Sequence, residues 1–431
     1  HGSNPCVPVI TAINMDNNIA CIILAAGKGT RMKSDLPKVL HNICARPMLG
    51  YVLDLASSLK VKETVVVIGH KHEAVKKLIR PGIKVVIQKK LLGTADAVRQ
   101  ALAALKASKG TVLVLYADNP LLKKETISKL LEYHIENNLG ATLLTAQVEK
   151  PCGYGRVLRD KYSSISGVAE EKDANEVQKD IKEINTGIIC FNKDSLVSAL
   201  KYVRPNNRKK EYYLTDIIGI LYKKGSLVDG FRLMDIDEAL GINSRADLSR
   251  ANSIMQKRIN EDLMQKGVAI IDPGSAFIGY GAKIGEDSTI YPFTVIERDV
   301  KIGKRCSIGP FIHLRKGTIL GDDVVAGNFS ELVRAKISSG TLAKHFCYIG
   351  DSRVGRKVNI GAGTVTANFD GKKKNRTVIN DGSFIGSDTV LVAPVKIGKR
   401  AITGAGSVVV KDVGDRVTVV GVPAKALKTK G

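Results

Sequence analysis

A glycine-rich turn followed by two cations is the first group of residues in the chain that could do chemistry. The apolar run Ala20–Leu24 leads into AAGKGTRM, and Lys38 follows shortly afterwards, next to Pro37. Bare backbone N–H groups in such a turn can bind phosphate oxygens, and Arg31 with Lys38 could neutralise charge on a departing pyrophosphate. Position 32 is Met and the chain has no Gly-Lys-Ser/Thr, so the turn is neither a dinucleotide fingerprint nor a P-loop. The two cations favour a triphosphate site over an ordinary tight turn.

A carboxylate follows a second apolar run in a similar way. Asp118 comes just after Thr111–Tyr116, and Pro120 ends that run. Carboxylate oxygens beside a polyphosphate are natural ligands for Mg²⁺. Asp118 could equally cap the helix that begins near Lys124, and the sequence leaves both interpretations open.

A histidine and a tyrosine lie close together much later in the chain. His345 and Tyr348 are part of KHFCYIGD. A neutral imidazole can take a proton from a substrate near neutral pH. Taken alone, however, such a pair is more typical of a structural hydrogen bond than of catalysis.

The first two groups lie in a region where strands and helices alternate, from residue 19 to about 240. Predicted strands are Ala20–Leu24, Thr64–Ile68, Val85–Gln88, Thr111–Tyr116 and Ala141–Val148, and predicted helices include Thr94–Lys106 and Lys124–Asn138. This alternation predicts a doubly wound, mostly parallel α/β sheet. Ligands of such sheets bind at the carboxyl ends of the strands, where the turn and Asp118 lie.

Aliphatic residues recur every six positions after Gly267. They occupy Ile278, Ile284, Ile290, Ile296, Ile302, Ile308, Leu314 and Leu320, and the pattern resumes at Val354 and Ile360 and again at Ile379, Ile385, Leu391 and Ile397. A six-residue period predicts three-sided coils stacked into a left-handed parallel β-helix. Such a solenoid could serve only for oligomerisation, but Val324–Tyr348 and Thr366–Asn375 interrupt the period, and interruptions often carry function.

The fold class is therefore α/β plus β, in three segments. We predict an α/β domain over 17–244, a linker helix over 245–267 and a hexapeptide-repeat domain over 268–431. The run Arg245–Gln265 has neither Pro nor Gly, which favours a helix.

Composition excludes several classes of protein. The 431 residues include 66 Lys plus Arg against 42 Asp plus Glu, giving a formal charge of +24. The positive charge is spread along the chain without interleaved aromatic residues, which favours anionic small molecules over nucleic acid as ligands. Seven cysteines without a Cys-x-x-Cys pair argue against a disulfide framework and predict a cytoplasmic protein. No apolar run reaches the length of a membrane span, so membrane insertion is not expected.

Further motifs make the chain similar to a known family. They are Gln88 with Leu92–Ala95 (LGTA), GYGR at 153–156, Glu170 in AEEKDA, EINTG at 183–187, EYYLTD at 211–216, GIN at 241–243, Arg315 in LRKG, GNF at 327–329 with Glu331, NIGAGT at 359–364 and NFDG at 368–371. Together with the turn and the repeats, these residues resemble the bacterial bifunctional N-acetylglucosamine-1-phosphate uridyltransferases / glucosamine-1-phosphate N-acetyltransferases. The resemblance extends over about residues 19–415.

The resemblance implies roles in the first half of the chain. Arg31 and Lys38 would hold the triphosphate of UTP and stabilise the transition state. Substrate contacts would come from Leu24 and Gly27 at the nucleotide, from Gln88, Gly93 and Thr94 at the uracil, and from Gly155, Glu170 and Asn185 at the N-acetylglucosamine. Asp118 and Asn243 would ligate Mg²⁺.

The resemblance also implies roles in the repeat half. His345 would be the general base, and Arg315 would hold the sugar phosphate. The sugar substrate would contact Tyr348, Asn359, Asn368, Phe369 and Lys374, and acetyl-CoA would lie along Ala362, Ser387 and Ala405. Lys374 is expected to come from a neighbouring subunit of a homotrimer.

Three positions depart from the family pattern. Ala117 stands where a Gly is usual beside the metal ligand, and Phe369 stands where a Tyr is usual. Val333 replaces a Lys, with Arg334 beside it, so weaker binding of glucosamine-1-phosphate is expected. The implied function is acetylation of glucosamine-1-phosphate followed by uridyl transfer to give UDP-N-acetylglucosamine. Two alternatives are a single-activity sugar-1-phosphate nucleotidyltransferase with a trimerising repeat domain, and a non-enzymatic regulatory protein of the same two folds.

Overall fold

The computed structural model describes residues 18–106 and 109–427, which form two compact units. Residues 18–41, 47–106 and 109–251 make up the first unit, and residues 42–46 and 252–427 make up the second. Residue 17, where the first domain is predicted to begin, and residues 428–431 lie outside the described residues. In the described part of the chain, no helix combines the length and the apolar character that crossing a membrane requires.

Strands and helices alternate from residue 19 to residue 232. In chain order they are β1 (Ile19–Ala25), β2 (Asn42–Ile43), β3 (Arg46–Pro47), α1 (Met48–Ser58), β4 (Glu63–Ile68), α2 (His72–Lys76), β5 (Lys84–Ile87), α3 (Thr94–Ala104), β6 (Thr111–Tyr116), α4 (Lys124–Glu136), β7 (Ala141–Gln147), β8 (Gly155–Arg159), β9 (Ile165–Ala169), α5 (Glu176–Lys179), β10 (Glu183–Asn192), α6 (Lys193–Leu200), α7 (Asp216–Lys223) and β11 (Val228–Arg232). Short 3₁₀ helices lie at Thr30–Met32, Lys38–Leu40 and Ile236–Ala239.

The first unit is built on one mixed sheet with the strand order β11-β7-β10-β6-β1-β4-β5. Neighbouring strands are parallel except at β10, which runs antiparallel to both β6 and β7. β8 and β9 form an antiparallel extension beside β10. The carboxyl ends of β1, β4, β5 and β6 therefore share one edge of the sheet.

Both faces of this sheet are covered by helices. Cys21 and Ile23 of β1 are buried in a cluster with residues of α1 and α4. Ala20 and Ile22 face the other way, into a cluster with residues of α3, α6 and α7. Alternate residues of an extended strand point to opposite faces, so the continuous apolar run of β1 reflects burial on both sides. The prediction of a doubly wound α/β fold is confirmed.

A helix of 21 residues, α8 (Arg245–Gln265), follows. It has the bounds of the predicted helical run. Ser244 caps its N-terminus: the Ser244 hydroxyl accepts a hydrogen bond from the Asp247 N–H at 3.2 Å, and the Asp247 carboxylate accepts one from the Ser244 N–H at 2.8 Å. The boundary between the two units falls inside this helix, after Ala251.

Twenty-five short strands follow. They are β12 (Ala269–Ile270), β13 (Phe277–Ile278), β14 (Lys283–Ile284), β15 (Thr289–Ile290), β16 (Val295–Ile296), β17 (Lys301–Ile302), β18 (Ser307–Ile308), β19 (His313–Leu314), β20 (Ile319–Leu320), β21 (Val325–Ala326), β22 (Glu331–Val333), β23 (Lys336–Ile337), β24 (Leu342–Ala343), β25 (Tyr348–Gly350), β26 (Ser352–Val354), β27 (Asn359–Ile360), β28 (Val365–Ala367), β29 (Thr377–Ile379), β30 (Phe384–Ile385), β31 (Val390–Val392), β32 (Val395–Ile397), β33 (Ile402–Thr403), β34 (Val408–Val409), β35 (Thr418–Val420) and β36 (Lys425–Ala426).

These strands form three sheets, and each of the first seven coils contributes one strand to every sheet. The first sheet has the order β12-β15-β18-β21-β24-β27-β30-β33-β35-β36, the second β13-β16-β19-β22-β25-β28-β31-β34 and the third β14-β17-β20-β23-β26-β29-β32. All neighbours are parallel except β35 and β36, which are antiparallel. The aliphatic residues of the six-residue pattern form one continuous core, which confirms a parallel β-helix.

Coil length changes at the two predicted interruptions. Ile296 pairs with Leu314, an 18-residue step, whereas Leu332 pairs with Ile349, one residue fewer. A later coil takes 25 residues, from Asn359 to Phe384, because it carries an inserted loop. The repeat continues on both sides of each change because the inward aliphatic positions stay in register.

Candidate active sites

The glycine-rich turn after β1 places Lys38 beside it. Gly29 has φ +64°, and a Cβ there would lie 2.5 Å from the Lys38 Cβ, so only glycine allows this close approach. A Cβ on Gly27 would meet no atom within 4 Å, so that backbone borders open space. Leu24 is 8% exposed at the end of β1. Arg31 is exposed, and its side chain has no ion pair with the described residues.

Lys38 brings the two predicted metal ligands together. Its ammonium forms an ion pair with the Asp118 carboxylate and donates a hydrogen bond of 2.7 Å to Oδ1 of Asn243. Asp118 stands just beyond β6, and Asn243 stands just before α8. Two side chains far apart in the sequence therefore present oxygens to the same cation.

Asp118 does not cap α4. The first turn of that helix is held by the Glu238 carboxylate, which accepts hydrogen bonds from the Lys123 N–H at 2.8 Å and the Thr126 hydroxyl at 3.0 Å. Glu238 is 2% exposed and comes from a 3₁₀ helix that the sequence did not single out. The capping interpretation of Asp118 is therefore wrong.

The oxygens of Asp118 and Asn243 fit a divalent cation. Both already contact one positive charge, and a carboxylate with an amide carbonyl is a hard-oxygen donor set. No group of three or more His, Cys, Asp or Glu side chains suited to a metal occurs in the part of the chain that the structure describes. The remaining ligands of Mg²⁺ would be water and substrate phosphates, as is usual for this ion.

Gln88 has a fixed orientation at the end of β5. Its Nε2 donates to the Gly93 carbonyl at 3.1 Å and to Oδ2 of Asp96 at 2.8 Å. Both partners are acceptors, so the amide nitrogen must face the protein, and the carbonyl oxygen remains as the acceptor for a ligand. Gly93 has φ +117°, and a Cβ there would lie 2.5 Å from the Tyr212 carbonyl oxygen. The sequence analysis did not identify Asp96 as a partner of Gln88. The one feature that marks Asp96 in the sequence is its position in the first turn of the predicted helix.

Thr94 begins α3 next to Gly93. Its hydroxyl accepts a hydrogen bond from the Leu214 N–H at 2.9 Å. The three residues predicted to contact uracil are thus adjacent, and two of them are fixed by the segment at 212–214.

The three residues predicted to hold the sugar also meet. Asn185 of β10 lies directly opposite Gly155 of β8. A Cβ on Gly155 would be 3.7 Å from Oε2 of Glu170 and 2.9 Å from Cγ1 of Val168, so this position has room only for glycine. The Thr215 hydroxyl donates to the Glu170 carboxylate at 2.8 Å.

Negative charge accumulates around this group. Burial raises the pKa of Glu170, and the hydrogen bond from Thr215 opposes that rise. Burial, with the charges of Glu170 and Asp173, raises the pKa of Asp216 to about 6. Sequence reasoning did not foresee the coupling of these carboxyl groups, because they come from separate segments.

In the second unit, one column of residues contains the predicted base and the predicted acetyl-CoA contacts. The pairings of Leu342 with Asn359, of Asn359 with Phe384, and of Phe384 with Ile402 define the register of four coils. Three positions beyond these residues stand His345, Ala362, Ser387 and Ala405. Neighbouring coils are about 4.8 Å apart, so these four residues follow one another in a line along the β-helix.

His345 is exposed at one end of this column. Its carbonyl oxygen accepts a hydrogen bond from the Ser330 hydroxyl at 3.0 Å. No hydrogen bond or ion pair joins its imidazole to the residues that the structure describes, so the structural hydrogen bond with Tyr348 is absent. Asn359 is half-buried on the adjacent strand, three residues before Ala362.

Arg315 lies on the neighbouring sheet. Its Nη1 donates to Oε1 of Glu331 at 3.0 Å, and Glu331 lies opposite Tyr348 on the next coil. The carboxylate therefore holds the guanidinium close to the coil that carries Tyr348.

A second acidic residue, Asp351, gathers further predicted sugar contacts. It accepts a hydrogen bond from Nδ2 of Asn368 at 2.6 Å and a bidentate pair from Arg334 at 2.5 and 2.6 Å. A Cβ on Gly350 would lie 2.5 Å from Nδ2 of Asn368 and 2.7 Å from the Tyr348 hydroxyl oxygen. The absence of a side chain at Gly350 thus allows Tyr348 and Asn368 to converge. Sequence reasoning gave Asp351 no role.

The inserted loop carries the last two predicted sugar contacts. Phe369 and Lys374 form an antiparallel bridge, and Phe369 is 60% exposed. Hydrogen bonds from the Lys373 N–H and the Asn375 amide lower the pKa of Asp370 to about 2. The loop is therefore folded by its own contacts and presents both side chains outward.

The comparisons with known proteins agree with this arrangement. The model of the MobA-like NTP transferase domain matches residues 21–183, and the model of bacterial transferase hexapeptide repeats matches residues 281–311 and 376–411. Bifunctional protein GlmU of Thermosipho africanus is 45% identical over 91% of this chain and 92% of its own length. Bifunctional protein GlmU of Shouchella clausii is 43% identical over 91% and 94%, and that of Clostridioides difficile is 41% identical over 92% and 94%.

The chain belongs to the GlmU family.

The structure shows the surroundings of two of the three positions that depart from the GlmU family pattern, Ala117 and Val333. The side chain of Ala117 is fully buried and belongs to the core cluster shared with α1 and α4. Val333 is 3% exposed and pairs with Gly350, one coil after the position of Arg315. Arg334 has φ +49° at the corner where the coil is one residue short, and its guanidinium is engaged by Asp351. The guanidinium of Arg334 is thus held by Asp351.

Proposed function

We propose that the chain makes UDP-N-acetylglucosamine by two reactions, one in each unit. The second unit transfers an acetyl group from acetyl-CoA to glucosamine-1-phosphate. The first unit then joins N-acetylglucosamine-1-phosphate to UTP and releases pyrophosphate. The observation that supports two chemistries is that the candidate residues gather in two groups, one on the α/β sheet and one on the β-helix.

Uridyl transfer in this proposal needs no general base. The sugar phosphate is already anionic at neutral pH and can attack the α-phosphorus directly, so positioning and charge neutralisation are what the protein supplies. Lys38 and Arg31 neutralise the developing charge on the departing pyrophosphate. When bound by Asp118 and Asn243, Mg²⁺ would add further charge neutralisation on the phosphates.

Gln88 selects the nucleobase in this proposal. Its Nε2 already donates to Gly93 and Asp96, so only its carbonyl oxygen, a hydrogen-bond acceptor, is left for the nucleobase. Uracil presents a ring N–H at the position where cytosine presents a lone pair. This orientation therefore favours UTP over CTP.

Acetyl transfer in this proposal begins with removal of a proton. The amine of glucosamine-1-phosphate is largely protonated near neutral pH, and only the free amine can attack the thioester. The unpartnered imidazole of His345 removes a proton from the ammonium, and the free amine then attacks the thioester carbonyl. The C–N bond forms as the C–S bond breaks, and coenzyme A leaves as its thiol, taking up the proton that the nitrogen loses on becoming an amide. Arg315 binds the phosphate of the sugar.

We propose a homotrimer in which Lys374 completes a neighbour's acetyltransferase site. Mixing His345→Ala with Lys374→Ala chains tests this arrangement. If the two residues act from different chains, mixed trimers regain acetyl transfer in some of their sites. If both act within one chain, mixing restores nothing.

One assay tests both activities. The purified protein is incubated with glucosamine-1-phosphate, acetyl-CoA, UTP and Mg²⁺, and UDP-N-acetylglucosamine is measured. We expect the product to form, and its formation to stop when acetyl-CoA is left out. If the product forms only when N-acetylglucosamine-1-phosphate is supplied, the single-activity alternative is correct.

A further inference from the structure

One face of the β-helix carries a row of cations. The third sheet presents seven residues outward, one from each strand: Lys283, Lys301, Ile319, Lys336, Arg353, Val378 and Lys396. Five of them are Lys or Arg, and all five are exposed. We call these five residues the cationic row.

Among the described residues, the side chains of the cationic row have no internal partner. At the adjacent corner, Lys304 pairs with Glu286 at 2.5 Å, and Arg305 pairs with Asp323 at 2.7 Å. By contrast, no ion pair or hydrogen bond joins the side chains of the cationic row to residues within 18–106 or 109–427. The positive charge of the row is therefore available to an external anion.

The outward residues of the first sheet are mostly uncharged. From β12 to β35 they include Ala269, Thr289, Ser307, Val325, Leu342, Asn359, Phe384, Ile402 and Thr418, and the last strand, β36, adds one exposed cation, Lys425. The two faces of the β-helix therefore differ in charge, although Lys and Arg look evenly spread along the sequence.

We propose that the cationic row is a docking surface for the anionic headgroups of a lipid bilayer. This proposal is independent of the enzymatic function. Seven strands at about 4.8 Å spacing give a flat strip about 29 Å long, without walls that could enclose a polymer. The strip has no aromatic residue on which nucleic-acid bases could stack. The charged headgroups of a bilayer already lie in a plane. Binding of a bilayer to the strip therefore avoids the entropy cost of ordering a flexible polymer.

The strength of such binding depends on the number of cations. Each Lys or Arg near an anionic membrane surface strengthens binding about fivefold at low salt. Loss of three cations should therefore weaken the partition coefficient on the order of 100-fold. Salt should weaken it as well, because the Debye length falls from about 10 Å at 0.1 M to about 3 Å at 1 M.

Vesicle co-sedimentation of the full chain tests the proposal. The triple variant Lys301→Gln, Lys336→Gln, Arg353→Gln is compared with wild type on vesicles of phosphatidylcholine alone and with 30% phosphatidylglycerol. The matched control, Lys124→Gln, Lys129→Gln, Lys223→Gln, removes three exposed cations from the helices α4 and α7. Retained production of UDP-N-acetylglucosamine shows whether each variant is folded.

We expect wild type to bind the anionic vesicles in 0.1 M NaCl and to leave them in 1 M NaCl. The row variant should lose binding about 100-fold, and the control variant should lose much less. Equal losses in both variants would mean that general charge, and not the row, binds lipid. Absence of wild-type binding to the vesicles, together with row-dependent binding of a single-stranded oligonucleotide, would assign the row to nucleic acid instead.

Discussion

Lys38 contacts both of the residues that we propose as metal ligands, Asp118 and Asn243. We predict that Lys38→Ala abolishes uridyl transfer, with a loss on the order of 100-fold or more, because a charge that stabilises the transition state disappears. Pyrophosphate release measures this reaction, and release of the coenzyme A thiol, which measures the other, should be unchanged.

Lys28→Ala is the matched control for that variant. Lys28 is exposed on the same turn and has no ion pair with the described part of the chain. Loss of both activities in Lys38→Ala, or an equal effect of Lys28→Ala, would contradict the assignment.

Asp216 gives a prediction about pH. Its pKa is raised to about 6, above the ordinary value for an aspartate of about 3.9. The neutral form is therefore favoured in the folded state, and the stability that it contributes is complete below about pH 4 and lost as pH rises through 6. Asp216→Asn imitates the neutral form and should stabilise the first unit at pH 8 by about 1 kcal/mol, since partial exposure reduces the effect.

A melting curve at two pH values checks this expectation. The transition of the first unit should rise by roughly 2–4 °C at pH 8 and hardly change near pH 4. Asp194→Asn is the control, since Asp194 stands in the first turn of α6 but is exposed. A gain of equal size at both pH values would show that charge on Asp216 is not the cause.

At the level of elements, the inserted loop of the longest coil gives the clearest test. The Asn375 N–H donates to the Asn368 carbonyl, so the two ends of the loop are adjacent. Replacing residues 369–374 by Asn-Gly should leave the β-helix folded, because shortening a surface loop costs little. Acetyl transfer should fall about 10- to 100-fold, the value of a charge-assisted contact of 1.5–3 kcal/mol.

Circular dichroism and the thiol assay measure these two outcomes. Lys374→Ala in the full-length loop separates the loss of one side chain from the loss of the loop. If the shortened variant keeps full acetyl transfer, the assignment of Phe369 and Lys374 as contacts of the sugar substrate is wrong.

Gly350 gives a second prediction at this level. Gly350→Ala should raise the KM for glucosamine-1-phosphate, because the new Cβ displaces the Tyr348 hydroxyl and the Asn368 amide. Gly414→Ala, where the nearest atom is 3.3 Å from the added Cβ, should have no such effect. Initial-rate kinetics of acetyl transfer distinguish the two, and an unchanged KM in Gly350→Ala would place the sugar elsewhere.

Helices, strands and coils that have a local sequence pattern could be predicted from the sequence. Strand directions and contacts between distant segments could not. The six-residue period identified the inward residues of every regular coil because each side of the coil repeats the same environment. The antiparallel direction of β10 left no signal, since a buried strand has the same apolar composition in either direction. Two carboxylates were missed because their partners come from other segments of the chain: Glu238 and Asp351. Asp96 was missed because an acidic residue in the first turn of a helix has an ordinary local explanation.

At the level of the whole molecule, the two candidate sites should respond differently to removal of metal. EDTA should stop pyrophosphate release, because the group at Asp118 and Asn243 supplies oxygen ligands. It should spare release of the coenzyme A thiol, since the proposed acetyl-transfer step relies on His345 and Arg315. Restoration of uridyl transfer by added Mg²⁺ is the control, and equal inhibition of both reactions would contradict the metal assignment.

The two ends of the coil stack are closed differently. At one end, Leu263 and Ile259 of α8 pack against the core of the coils. At the other, β36 runs antiparallel to β35 and occupies the last free edge of the first sheet. An open end of a parallel stack would offer unpaired N–H and C=O groups to the next molecule and so start a growing fibre. The reversal of direction at β36 covers the edge of one of the three sheets and so removes that part of the template.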